Sequence, residues 1–331
     1  MQTRALGRTG MNVTALGIGL AALGRPGYIN LNHAADLGQE YEVAAMQTHA
    51  HDVLDAAWAA GMRYFDAARS YGRAEAFLAS WLHRRAIPAD AVTVGSKWGY
   101  VYTADWQVNA DVHEVKDHTL PVLQRQRQES RALLGGHLKL YQIHSATLES
   151  GVLENRAVLD ELARLRGDGL AIGLSLSGPG QGETLARALE VAVDGQPLFD
   201  AVQATWNLLE PSADDMLAAA HKAGMGVIVK EALANGRLTA RNRDPGFAAQ
   251  RRLLEETASS LGVTIDALAL AAVLHQPWAT VVLSGAATAE QLHSNVAALT
   301  VPWSASLADA LDSLAEAPGD YWSTRSQLDW N

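Results

Sequence analysis

Short apolar runs rich in β-branched residues alternate along the chain with stretches whose apolar positions recur at helical spacing. The predicted strands occupy residues 13–21, 63–67, 91–97, 138–144, 170–176, 199–206, 226–233 and 280–285. The predicted helices include residues 51–61, 74–85, 152–169, 183–195, 212–224 and 248–262, and Gly61, Gly169 and Gly224 are positioned to end three of them. Runs that are apolar throughout are typical of parallel strands buried on both faces. Eight strand–helix units indicate an α/β fold, the (β/α)8 TIM barrel, with a doubly wound sheet as the main competitor.

Three segments do not fit the minimal repeat. Residues 25–48 follow the first predicted strand, and residues 99–118 follow the third. Both would lie at the C-terminal ends of the strands, where barrel enzymes build their active sites. The polar and aromatic tail in residues 301–331 is placed to fold over the same mouth. We therefore expect one domain over residues 1–331, with three variable segments around one site.

The amino-acid composition of the chain limits the kinds of molecule that it can bind. Hydrophobic residues make up 48% of the chain and charged residues 19%, which is enough for a large core. The net charge of −10 argues against a nucleic-acid partner. The absence of cysteine excludes disulfides, thiolate zinc sites and a cysteine nucleophile. No apolar run reaches signal-peptide or membrane-helix length, so we expect no membrane partner, a cytoplasmic location and a small-molecule substrate.

Four reactive side chains fall where a barrel would gather them. Asp66, Lys97 and His144 end the second, third and fourth predicted strands, and Tyr71 lies in the loop after the second. One such residue is often only a cap or a surface group, but four together favour a site. A nearby lysine lowers the pKa of a tyrosine, Asp66 can hold Lys97 by an ion pair, and His144 can orient a substrate oxygen. The set predicts a tuned general acid/base.

Other motifs support competing interpretations. GIGLAALG (17–24) lacks a dinucleotide-binding glycine fingerprint, because Ala22 stands where G-x-G-x-x-G needs glycine. HAHD (49–52) is similar to the histidine pair of metal-dependent hydrolase barrels, but it falls at the start of a predicted helix, where positions two apart face different sides. HEVKDH (113–118) has its histidines five residues apart and is interpreted as a solvent-exposed helix. We expect no metal site.

Several of these segments together resemble the aldo-keto reductase family, in particular its bacterial members of the aldose dehydrogenase type. FDAARSYGRAE (65–75), SKWG (96–99) and LYQIHSAT (140–147) resemble the family's tyrosine, lysine and histidine segments. IGLSLSG, VQATWNLLE, ANGRLT and LSGAATAEQLHSNVAAL follow in the family's order, and the matches cover residues 4–300. The resemblance implies hydride transfer between NAD(P)(H) and a carbonyl or alcohol, with Tyr71 as the proton donor, Lys97 and Asp66 tuning it, and His144 positioning the carbonyl.

The resemblance also implies a set of cofactor contacts. Ser175 and Gln203 would hold the nicotinamide carboxamide, and Gly285, Gln291 and Asn295 would contact the pyrophosphate and adenosine. The remaining residues assigned to the cofactor are Gly19, Leu20, Lys230, Leu233 and Thr288, the last through N–H groups at the start of a helix. Trp98 and Trp206 are assigned to the wall of the substrate pocket.

Four positions depart from the family pattern. Leu176 replaces an asparagine, Lys230 replaces the aromatic residue that stacks on nicotinamide, and Ala286 and Ala287 stand where many members carry a basic residue. The resemblance favours NADP(H), but the missing basic residue leaves NAD(H) open. Leu176 and Lys230 also leave open a cofactor-binding regulatory protein with little turnover. We expect Lys230 to meet a phosphate or the substrate, or to pair with Glu231.

Overall fold

A short antiparallel hairpin opens the chain in the computed structural model, which describes residues 1–331. Its strands are β1 (Thr3–Ala5) and β2 (Asn12–Thr14). Leu6 and Val13 are buried with the residues that fill the barrel lumen, so the hairpin closes the bottom of the barrel. The predicted strand at 13–21 is therefore two elements: its first residues belong to this hairpin, and the barrel strand begins at Leu16.

Eight parallel strands close into one barrel, which excludes the doubly wound sheet. They are β3 (Leu16–Gly19), β4 (Tyr64–Asp66), β5 (Thr93–Trp98), β8 (Leu138–Ala146), β9 (Ala171–Leu176), β12 (Ala201–Thr205), β13 (Gly226–Lys230) and β14 (Val281–Ser284). Two further antiparallel hairpins lie outside the barrel, β6 (Tyr100–Tyr102) with β7 (Glu114–Lys116), and β10 (Ala192–Val193) with β11 (Gln196–Pro197). Chain order and barrel order agree, and β14 closes on β3.

Helices surround the barrel. They are α1 (His33–Asp36), α2 (Val43–Ala59), α3 (Ala74–Arg84), α4 (Leu120–Leu134), α5 (Arg156–Gly167), α6 (Gln181–Glu190), α7 (Asp214–Lys222), α8 (Ala248–Leu261), α9 (Ile265–Leu274), α10 (Ala289–Val296), α11 (Ala305–Leu311) and α12 (Pro318–Ser326). Gly61, Gly169 and Gly224 follow α2, α5 and α7 with φ values of 89°, 96° and 84°, as expected for residues that end helices. α9 was not among the predicted helices, because it is buried on nearly every side and has no amphipathic period.

The barrel lumen is filled from below by apolar side chains. Tyr64, Leu140, Ile228 and Val281 pack there with the residues of the first hairpin. Gly17 makes room for this packing, since a Cβ at that position would lie 2.8 Å from Cδ1 of Tyr64. The polar residues of the site therefore lie directly above a closely packed apolar layer.

The three variable segments gather at the C-terminal ends of the strands, as predicted, but each has its own structure. In the first, α2 begins at Val43 rather than at residue 51. The second forms the β6–β7 hairpin, so the interpretation of residues 113–118 as a helix is wrong. The tail returns to the first segment, where Tyr28 and Asn331 exchange backbone hydrogen bonds of 3.1 and 3.2 Å.

No single helix is long and apolar enough to cross a membrane. One pair of segments, Pro245–Leu261 and Ile265–Leu274, reaches that length and hydropathy only together, and they meet at an angle of 84°. The second of the two is a buried helix of the barrel wall.

Candidate active site

One large cavity of about 630 Å³ opens at the C-terminal ends of the barrel strands. Asp66, Tyr71, His144 and Gln203 lie among the residues that line it. The variable segments form its upper walls, and they contribute Arg25, Tyr28, Asn30, Tyr100, Glu114, Arg325, Ser326, Leu328 and Trp330. The structure therefore brings the sequence-predicted reactive residues to one place beneath three loops.

Lys97 connects the predicted acid/base residues. Its side chain is fully buried and forms an ion pair with Asp66. The same ammonium donates hydrogen bonds to the Ala67 carbonyl (3.1 Å) and to the Tyr71 hydroxyl (3.5 Å). An ammonium with three donors can hold a carboxylate, a carbonyl and a phenol at once. The geometry thus orients Tyr71 through Lys97 and Lys97 through Asp66.

Asp66 accepts further hydrogen bonds on its other carboxylate oxygen. The donors are the Gln203 amide (2.9 Å), the Gln142 amide (3.3 Å) and the Tyr64 hydroxyl (3.4 Å). Gln203 was assigned to the cofactor from the sequence, and here its amide group bonds to Asp66 while the residue still lines the cavity. Gln142 was not predicted, although alternation along β8 places it on the same inward face as His144.

His144 meets Tyr71 edge to face, with ring centroids 5.4 Å apart and an angle of 83°. Its Nδ1 is hydrogen bonded to the Ser70 hydroxyl (3.3 Å), which leaves Nε2 on the cavity side. Burial, followed by the charges of Lys97 and Arg25, lowers the pKa of His144 well below its ordinary value. The ring is therefore neutral at physiological pH and can hydrogen bond to a substrate oxygen.

The pKa of Tyr71 moves against the expectation from the sequence. Burial, and after it the Asp66 carboxylate, raise the pKa of the hydroxyl well above its ordinary value. The charge of Arg25 lowers the pKa, but burial and the Asp66 carboxylate outweigh it. Tyr71 therefore keeps its proton at neutral pH, which suits a proton donor.

Lys230 and Glu231 belong to a three-residue charge cluster with the tail. Lys230 donates to the Thr205 hydroxyl (2.7 Å) and lies 3.5 Å from Glu231, so the expected Lys230–Glu231 pair is present. Burial lowers the pKa of Lys230 to about 8, against the opposing effect of Glu231. Arg325 of α12 binds the same carboxylate through Nε (2.8 Å) and Nη2 (2.5 Å). Burial opposes the charge on Glu231, but Arg325 and then Lys230 prevail and lower its pKa to about 2.

Replacing Arg325 with glutamine is expected to loosen the tail. The change removes a buried bidentate partner of Glu231 and leaves only Lys230, which should cost up to about 3 kcal/mol. Hydrogen exchange of the α12 amides measures the effect as faster exchange in residues 318–326. Arg187, which binds Glu154 at the surface, provides the matched control, and Arg187→Gln should leave α12 unchanged. Equal protection of α12 in wild type and Arg325→Gln would contradict the role given to this pair.

The cavity continues from the acid/base residues toward the start of α10. Leu233, Lys230, Gly285, Gln291 and Asn295 line this part, as the sequence predicted for cofactor contacts, together with Gly19. Three other predicted contacts do not line it: the Leu20 side chain lies in the core, the Ser175 hydroxyl accepts from Ser145 N (2.8 Å), and Thr288 caps α10.

The lining residues fit an extended dinucleotide. The part of the cavity that leads to α10 is lined by Gly285, by the amide side chains of Gln291 and Asn295, and by the N-terminal turn of α10. The buried Asn235 Oδ1 lines it without a hydrogen-bond partner in the protein, so a ligand hydroxyl or amide would satisfy it.

Trp98 and Trp206 do not line the cavity, so their assignment to the substrate pocket is corrected. Trp98 directly follows Lys97, and because successive strand residues face opposite sides, it points outward and packs against His118. Trp206 likewise packs against Trp278, with ring centroids 5.7 Å apart. Besides Tyr71, the tyrosine and tryptophan residues that line the pocket are Tyr28, Tyr100 and Trp330, from the variable segments.

The histidine motifs form no metal site. His49 bonds to the Ala287 carbonyl (2.5 Å) and His51 to the Phe77 carbonyl (3.2 Å), so the two rings point apart within α2. His113 stacks on Trp330, and His118 bonds to the His144 carbonyl. No group of three or more histidine or carboxylate side chains is arranged to hold a metal ion. These histidines therefore do not provide the set of metal ligands that the metal-dependent hydrolase interpretation requires.

Known proteins resemble this chain over most of its length. The family model described as "Aldo/keto reductase family" matches residues 15–316. The aldo-keto reductase ausK of Emericella nidulans is 25% identical, over 93% of this chain and 79% of that protein. The pyridoxal 4-dehydrogenase of Microbacterium luteolum is 26% identical, over 89% and 92%. The holo form of the aldo-keto reductase AKR11C1 from Bacillus halodurans superposes with a TM-score of 0.73 at 20% identity, covering 96% and 97% of the two chains.

Proposed function

The chain belongs to the aldo/keto reductase family, and on that premise we propose that Asp66, Tyr71, Lys97 and His144 are its catalytic residues. The family makes it an oxidoreductase that interconverts a carbonyl and an alcohol with a nicotinamide cofactor. The observation that carries the residue assignment is the contact between the Lys97 ammonium, paired with Asp66, and the Tyr71 hydroxyl at the base of the cavity.

Each of the four residues has a distinct task in the proposed reaction. Tyr71 gives a proton to the substrate oxygen as a carbonyl is reduced, and takes it back in the reverse direction. Lys97 stabilises the phenolate that remains, and Asp66 holds Lys97 in place. Neutral His144 orients the same oxygen from Nε2. The nicotinamide, when bound, supplies or accepts the hydride.

The test is cofactor turnover with EDTA present. We expect absorbance at 340 nm to fall when reduced cofactor meets a panel of aldehydes and ketones, because the proposed steps use only the four side chains and the cofactor. Cofactor binding without turnover would favour the regulatory alternative, to which Leu176 and Lys230 still point. Loss of turnover on chelation would favour the hydrolase interpretation and overturn this proposal.

We further propose that the cofactor is NAD(H) rather than the NADP(H) that the sequence favours. Arg241 lines the cavity near α10, and Asp36 already holds it through two bonds of 2.5 and 2.7 Å. Asp36 also accepts from the Gln291 amide (2.8 Å). Asp266 and Glu290 add negative charge to the same wall. A 2′-phosphate would meet repulsion there, whereas a carboxylate can accept from a ribose 2′-hydroxyl.

Replacing Asp36 with alanine is expected to shift the preference toward NADPH. The change frees Arg241 for a phosphate, and one charge-assisted bond corresponds to about a 10- to 100-fold change in relative affinity. Quenching of tryptophan fluorescence gives the dissociation constants of NADH and NADPH. The double variant Asp36→Ala with Arg241→Gln should lose the gain. Tighter binding of NADPH than of NADH by the wild type would contradict the proposal.

The one-domain assignment of residues 1–331 and the cytoplasmic location stay predictions. A small-molecule carbonyl or alcohol as the substrate follows from the family.

A further inference from the structure

Arg25 is a buried cation beside the proposed proton donor. It is 3% exposed, and its guanidinium carbon lies 5.3 Å from the centroid of the Tyr71 ring. The rings of Tyr28 and Trp330 lie 5.6 and 4.7 Å from the same carbon. Three aromatic rings therefore enclose the guanidinium on the wall of the cavity.

The hydrogen bonds of Arg25 within the protein are incomplete. Nη1 donates to the Ser70 carbonyl (3.0 Å) and to Glu114 (2.9 Å). Nε is buried without any partner, and Nη2 forms no bond within the protein. An arginine carries five N–H donors in a planar fork, and burying donors that form no hydrogen bond costs free energy. A ligand with acceptor oxygens would offset part of that cost by accepting hydrogen bonds from the unused N–H groups.

The charged groups around the acid/base end of the cavity include one more cation than carboxylates. Arg25 faces Glu114, and Lys97 faces Asp66. Lys230 and Arg325, however, share the single carboxylate of Glu231. At this end of the cavity four cations therefore meet three carboxylates, whereas Asp266 and Glu290 line the part near α10. The net charge of the whole chain is −10. The positive net charge of this end of the cavity favours an anionic ligand.

We propose that Arg25 binds a carboxylate of the substrate through Nη2, so that preferred substrates are short oxo acids and the matching hydroxy acids. This inference rests on the proposed function and adds the class of substrate. The guanidinium fork matches a carboxylate, and its place against the Tyr71 ring puts the bound anion near the reacting oxygen. Glu114 fixes the guanidinium from the β6–β7 hairpin.

The test compares succinic semialdehyde with its methyl ester, which keeps the aldehyde and removes the negative charge. We expect the full-length protein with saturating cofactor to use the acid with a kcat/KM about 10- to 100-fold above the ester, the range of one charge-assisted bond. In Arg25→Gln this ratio should fall toward one, and in Arg25→Lys it should be intermediate. Because both substrates are measured with the same variant, a general loss of activity does not change this ratio.

Lys116→Gln is the matched control. It removes a cation from the same hairpin, but Lys116 is bound to the Ser145 carbonyl and does not line the cavity, so the ratio should persist. An equal loss of the ratio in this variant would assign the effect to long-range charge and overturn the inference. The same holds if the wild type uses the ester as well as the acid, or if Arg25→Gln weakens binding of the cofactor instead of the acid.

Binding of succinate separates this inference from the proposed function. If no carbonyl compound of the aldehyde and ketone panel is turned over, these two included, the proposed function fails. Calorimetric titration of the cofactor-loaded wild type with succinate still decides the role of Arg25. Binding that Arg25→Gln weakens by about tenfold or more supports the anion site. Absence of binding, or equal binding to both proteins, overturns it.

Discussion

Replacing Tyr71 with phenylalanine is expected to lower kcat by about 10²- to 10⁴-fold, the usual contribution of a positioned general acid. The change removes the only hydroxyl that contacts Lys97 in the cavity and keeps the ring that packs against His144. Pre-steady-state loss of absorbance at 340 nm measures the chemical step. The dissociation constant of the cofactor, from fluorescence quenching, should stay near the wild-type value.

Tyr100→Phe is the matched control for this variant. Tyr100 also lines the cavity and also meets His144 edge to face at 5.0 Å, but its hydroxyl is not bonded to Lys97. We expect a loss of less than about tenfold, the range of one ordinary hydrogen bond. Similar losses in the two variants would show that the cavity tolerates neither change and that Tyr71 has no special role.

Replacing Lys97 with methionine is expected to abolish measurable turnover while the cofactor still binds. Tyr71 would lose the cation that stabilises its phenolate, and Asp66, which is 1% exposed, would be left without its ion partner. An uncompensated buried carboxylate costs about 3–5 kcal/mol, so the melting temperature should fall as well. The assays are cofactor turnover, cofactor binding and thermal unfolding on the same sample.

A double variant separates stability from catalysis. Asp66→Asn with Lys97→Met removes the buried lone charge, so thermal stability should recover toward that of the wild type. Turnover should not recover, because the cation beside Tyr71 is still missing. Near-normal turnover in either variant would contradict the proposal that Lys97 acts through Tyr71.

The positions of the reactive residues could be predicted because they depend on strand ends. Asp66 ends β4, Lys97 lies one residue before the end of β5, and His144 lies near the end of β8. A parallel barrel brings such ends to one face regardless of its loops. The same reasoning, applied residue by residue, would have placed Trp98 correctly, because alternation turns it away from the face that Lys97 occupies.

The surroundings of these residues depend on contacts between distant segments, which periodicity does not encode. Arg25, Glu114 and Trp330 come from three different variable segments and meet only in the folded chain. Glu231 was expected to pair with Lys230, but the bidentate partner arrives from α12 in the tail. The strand that carries Lys230 also ends earlier than predicted, because Glu231 adopts a left-handed backbone conformation with a φ of 56°.

Asp66, Tyr71, Lys97 and His144 are proposed to form one site at which hydride passes between a nicotinamide cofactor and a carbonyl carbon. Reduced cofactor in which both hydrogens at nicotinamide C4 are replaced by deuterium, with EDTA present, tests this proposal most directly. We predict that the wild type transfers one deuterium to the alcohol carbon of the product for each cofactor oxidised, as read by mass spectrometry, and that Tyr71→Phe transfers almost none. Cofactor that binds but is not consumed, or that is consumed without deuterium in the product, would contradict the account.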